Sequence, residues 1–116
     1  MNDLNGTGPL KTYRNLDVQV TGSIVKANAG AIFDLSVSNS NAAARYLKVY
    51  DKATAPTASD TPIRTYYLPP LSLTPVPVSD GIKFDFGISL RASTGVADAD
   101  TGAPTANDVV VNIGYL

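Results

Sequence analysis

The chain contains no histidine and no cysteine, and all ten of its acidic residues are aspartate. Histidine is the commonest general base and neutral metal ligand, and cysteine the commonest thiolate nucleophile, so most hydrolase and transferase arrangements are ruled out at once. What remains is aspartate chemistry. The candidate pairs are Asp98 with Asp100, Asp80 with Asp85, and Asp51 with Asp60. Two aspartates across a cleft can in principle run a glycosidase. These residues, however, stand in turn-like contexts, where carboxylates ordinarily cap backbone N–H groups. Asp98-Ala99-Asp100-Thr101-Gly102 has the alternating acidic spacing that opens a calcium loop, and Asp108 follows. The bidentate glutamate that completes such a loop is absent, so no metal is expected. Gly6-Thr7-Gly8 lacks the lysine and the strand-to-helix setting of a phosphate cradle. No catalytic residue and no cofactor is expected, and the chain reads as a non-enzyme.

A net charge of -1 argues against nucleic acid, which requires a basic face. No apolar run approaches the length that spans a bilayer, and the polar start lacks a signal-peptide pattern. The length fits one core. Charged residues make up only 16% of the chain, so Ser, Thr, Asn, Gly, Ala and Val dominate, a balance that suits sheets and turns.

Hydrophobic periodicity then places the elements. Residues 1–14 read as a flexible N-terminal arm, with residues 15–116 as the folded domain. Strands with one apolar face are expected over Leu16–Thr21, over Phe33, Leu35 and Val37, and over Arg45–Lys52. In the last of these, Leu47 and Val49 face the core while Tyr46, Lys48 and Tyr50 project outward. Ala53–Pro62 reads as a long loop, Ile63–Leu68 as a short strand, and the proline-interrupted stretch Leu71–Val78 as an edge strand. Ile82, Phe84, Phe86, Ile88, Leu90 and Ala92 alternate with polar residues as one long strand. Residues 94–108 form a loop, and Val109–Tyr115 the final strand. Seven or eight strands without helical periodicity predict an all-β, two-sheet antiparallel sandwich of jelly-roll type.

The words ARYLKVYDKATAPTASDTPI, DGIKFDFGISLRASTGVADADTGAP and NDVVVNIGY, in this order, resemble a family of small tailed-phage virion proteins. The resemblance covers Val25 to Tyr115 and departs from the pattern at Leu68-Pro69-Pro70-Leu71-Ser72, where the loop is short. It implies a β-sandwich on the phage particle, made in the host cytoplasm. Its role would be a head decoration or cement protein bound to the major capsid protein or another virion protein. A tail-fibre or receptor- or carbohydrate-binding module is the alternative.

Strands Ile63–Leu68 and Val109–Tyr115 are apolar on both faces, which predicts self-association, with a homotrimer as the expected state. The alternative is that loops such as Ala53–Pro62 cover those faces within one chain. The expected partner-binding residues are Leu4, Leu10 and Tyr13 in the arm, and Tyr46, Tyr50 and Tyr66 on the strands. A groove of tyrosines among Asp and Asn would favour sugar binding, and a flat tyrosine patch would favour assembly.

Overall fold

The computed structural model describes residues 9–116. Its strands are β1 (Lys11–Asn15), β2 (Ser23–Lys26), β3 (Gly30–Asn39), β4 (Arg45–Asp51), β5 (Arg64–Leu68), β6 (Ser72–Val76), β7 (Ile82–Phe84), β8 (Ile88–Ser93) and β9 (Val109–Tyr115). No helix occurs among the described residues. One sheet runs β1-β9-β3-β6, with β7 also on β3, and the other runs β2-β8-β4-β5. Every pairing is antiparallel. The partners nest: β1 with β9, β2 with β8, β3 with β6 and β7, β4 with β5. An extended hairpin folded over on itself gives this order, which is that of a jelly roll.

The two sheets close on a core that includes Ile32, Leu35, Val37, Leu47, Val49, Leu68, Phe84, Ile88, Leu90, Val111 and Ile113. Leu47 and Val49 face inward as their alternation requires, and Ala53–Pro62 lies outside the strands as its prolines demand.

Four expectations are corrected. Lys11–Arg14 are not arm but most of strand β1, hydrogen-bonded along β9 from Lys11↔Tyr115 to Asn15↔Val111. The alternation Lys11, Tyr13, Asn15 against Thr12, Arg14 was hidden by its polar composition, because β9 supplies the apolar partner Ile113 opposite Tyr13. Leu16–Thr21 is not a strand but the crossover between sheets: Val18 donates to Val109 O on one sheet, and Gln19 O accepts from Ala92 on the other. Phe33 leaves the core face because the β3–β9 register slips between Ile32 and Asp34, so Ile32 turns inward instead.

The fourth correction concerns the segment Ile82–Ala92, which is two strands in different sheets rather than one. Phe84 ends β7 buried, while Phe86 is 69% exposed at the corner between them. The Asp51 carboxylate holds that corner, accepting from the N–H groups of Asp85 (3.0 Å), Phe86 (2.8 Å) and Gly87 (3.2 Å). Lys52 N–H donates to Gly87 O at 3.1 Å, and a Cβ at position 87 would come within 2.6 Å of Ala53 Cα. Only glycine lets the two chains approach so closely.

Candidate functional site

On the β2-β8-β4-β5 sheet, the outward positions of β8 and part of β4 are roofed where the sequence suggested solvent. Ser89, Arg91 and Ser93 alternate with core residues along β8, yet all six residues of the strand are buried. On β4, Lys48 and Tyr50 share that outer face and are fully buried too. The cover is the segment after β8. Lys48 Nζ donates to Ala97 O, and Arg91 Nη2 to Asp100 O at 2.8 Å. Arg91 Nε reaches Val20 O at 2.8 Å, and its Nη1 reaches the Tyr50 hydroxyl at 3.0 Å. Tyr50 is therefore not a surface tyrosine, which corrects its assignment as a partner contact. Its hydroxyl accepts from Arg91, one of the two side chains that hold the loop. Sequence alternation placed Lys48 and Arg91 outward correctly. The signal for their burial was the long Gly-, Ala- and Asp-rich segment that follows, because a loop of such length has to lie on something.

Lys48 and Arg91 are cross-strand neighbours, and among the described residues neither forms an ion pair. Burial first, then the Arg91 charge, hold the Lys48 ammonium below the usual lysine pKa of 10.5, opposed by Asp100 and Asp98. Ser89 Oγ, beside Tyr50 in the register, is buried without a hydrogen-bond partner.

The aspartates do not converge. Asp51 secures the sheet-to-sheet corner. Burial raises its pKa, but the N–H groups of Asp85, Phe86 and Gly87 together outweigh that and leave it below 3.8. Asp60 accepts from Lys52 Nζ and Thr57 N, both at 2.7 Å, which hold it low and pin the Ala53–Pro62 loop. Asp17 is held low by Gln19 and then by the backbone of Asn107, tying the first crossover to the turn before β9. Asp80 is exposed, and Asp85 forms a 3.3 Å ion pair with Lys83 at the surface. Asp100 closes its own turn on Gly102 N at 2.8 Å. Asp108, the residue that would complete a calcium loop, is instead bound to Arg45 Nε at 3.0 Å and to Asn41 and Thr105 N. Among the described residues no three acidic groups gather to hold a cation.

Beside this bed is an open groove of about 420 Å³, lined in part by Val20, Gly22, Pro56, Thr57, Arg91 and Thr101. Among the described residues its lining holds no aromatic ring and no aspartate.

The remaining partner-binding expectations divide. Leu4 lies outside the described residues. Leu10 lies against Gly114 of β9, where a Cβ would come within 3.1 Å of its Cδ1. Tyr13 and Tyr66 are partly buried and pack on the core. Tyr46 is half-buried on the outer face of β4, tilted at 54° against Tyr67 with ring centroids 5.7 Å apart. Tyr67, on the edge strand β5, is 55% exposed. No protein-family model matches the chain, and no curated protein matches it in sequence.

Proposed function

We propose that this chain is a structural virion protein: a decoration or cement protein bound to the outside of a tailed-phage head, with the major capsid protein as its partner. The observation that supports this best is where the polar and aromatic groups go. The buried cations and several of the aspartates fasten loops to a jelly roll, and the tilted pair of half-buried Tyr46 and exposed Tyr67 stands where β4 meets the edge strand β5 instead of lining the groove. Rigid, loop-pinned surfaces suit a module whose weak contacts are multiplied by a lattice. The resemblance of its sequence words to small phage virion proteins points the same way.

Adding the purified chain to particles that lack it, followed by electron microscopy, tests the proposal. Ordered density on the head exterior is expected. Density confined to the tail or its fibres would replace head decoration with the receptor-binding alternative, and no binding to any part of the particle would remove both.

A further inference from the structure

Five strands pair on one side only, β1, β6 and β7 in one sheet and β2 and β5 in the other, and an edge presents unpaired N–H and C=O groups to any passing chain. Four of the five carry a recognised safeguard, β7 by being only three residues long. Strand β1 displays exposed Lys11 and Arg14, β6 carries Pro75, and β2 is four residues long with a register break between Ile24 and Lys26. Strand β5 differs. Arg64-Thr65-Tyr66-Tyr67-Leu68 pairs with β4 without a register break and holds no proline, and its one charge is at its first position. Among the described residues, no loop or side chain hydrogen-bonds to the backbone of Arg64–Tyr67 from the side away from β4. The outer face of this strand also carries the exposed Tyr67 and, just before it, Ile63, 43% exposed.

We propose that the β5 edge pairs with β5 of a second copy of this chain, antiparallel about a two-fold axis at Tyr66, joining the two β2-β8-β4-β5 sheets into one. Self-complementarity selects the occupant. Two-fold pairing places Tyr67 opposite Thr65 of the other copy on the outer face, an aromatic against a β-branched residue, which is a favoured cross-strand pair. It carries the two Arg64 charges to opposite ends, about 13 Å apart along the strands at roughly 3.3 Å per residue. That exceeds the screening length of about 8 Å at physiological salt, so the only charge on the strand does not oppose the pairing. The inference does not depend on where on a particle the protein sits, and it sets a two-fold contact in place of the three-fold one expected from sequence.

Sedimentation of the full chain over a range of concentrations tests it. A concentration-dependent mass approaching twice that of the chain is expected. The double variant Thr65→Lys, Tyr67→Lys changes only exposed outer-face positions, and it is expected to sediment as a monomer with its far-UV spectrum unchanged. Hydrogen exchange of the wild-type chain gives a reading that needs no variant: the amides that β5 turns away from β4, every second one along the strand, become protected as concentration rises. A wild-type monomer at high micromolar concentration, a trimer, a dimer that survives both lysines, or exchange at β5 that ignores concentration would each overturn the proposal.

Discussion

Lys48 and Arg91 stand directly opposite one another on β4 and β8, two like charges fully buried and held by loop carbonyls instead of carboxylates. Like charges in this position ordinarily destabilise a sheet. Here the repulsion is offset by the carbonyl oxygens of the segment they anchor. The two residues are not equivalent. Arg91 alone gathers Val20, Tyr50 and Asp100, so Arg91→Ala, which leaves buried acceptors without donors, is expected to lose about 3–5 kcal/mol in urea unfolding. Lys48→Met removes a desolvated charge together with its single bond, and is expected to change stability by less than about 1 kcal/mol.

The depressed Lys48 pKa also fixes a pH dependence. The unfolded chain holds this proton more tightly than the folded one, so between the folded value and 10.5 the unfolded state carries more protons. Stability therefore rises with pH in that window. Wild type is expected to gain on Lys48→Met as pH rises towards 10.5 in paired urea titrations, and a constant difference between them would contradict the linkage.

The two phenylalanines at the β7–β8 corner separate sharply. Phe84→Ala, in the core, is expected to lose about 3–5 kcal/mol. Phe86→Ala, at an exposed position, should remain within about 0.5 kcal/mol of wild type. Comparable losses for both would mean that the strand continues unbroken through Asp85–Gly87.

Asp51→Ala removes the acceptor for three corner N–H groups and is expected to lose about 1–2 kcal/mol near neutral pH. Its carboxyl titrates below 3.8 in the folded state, so this contribution is complete above that value and vanishes as pH falls through the folded pKa. Wild type and variant should converge in acid, as followed by melting temperature from pH 6 downward.

Leu71 has φ of 52° and is 71% exposed, at the turn from β5 to β6. A left-handed backbone costs a bulky side chain about 1–2 kcal/mol, whereas asparagine tolerates it. Leu71→Asn is expected to raise stability by about 0.5–1 kcal/mol. A melting temperature lowered by this substitution would show that the leucine side chain makes contacts that outweigh its strain.

Calcium is expected to leave the melting temperature unchanged, with or without chelator, because Asp108 is committed to Arg45 and Asp100 to its own turn. A rise with calcium that Asp98→Asn abolishes would restore the loop as a cation site.

Alternation along the chain carried the fold class and the core face of β4, because that strand keeps one apolar face, and Pro75 marked β6 as an edge strand. It failed where a local device broke the period. The bulge at Phe33 and the Asp51-held corner at Phe86 both keep the hydrophobic pattern in sequence while changing the direction of the side chains in space. It failed again at Tyr50, since the loop fastened to that face of the sheet is held by Lys48 and Arg91 through backbone carbonyls, which every sequence has. Strand β1 was missed because a short polar edge strand shows little contrast between its two faces. Of the candidate contacts, Tyr46 remained at the surface, while its exposed neighbour Tyr67 was legible only as one parity of a strand apolar on both sides.

The nesting of β1 with β9 has a temporal consequence. Strand β9 sits between β1 and β3, so the sheet that contains it lacks its middle until β9, made after the other eight strands, arrives. Until then β1 has no neighbour and the inner residues of β3, Leu35 and Val37, lack half of their cover. A topology dominated by such distant pairings folds slowly. The newly made chain therefore passes through an interval in which half of its sandwich is an open edge, and the rate at which β9 docks sets how long neighbouring chains have to compete for that place.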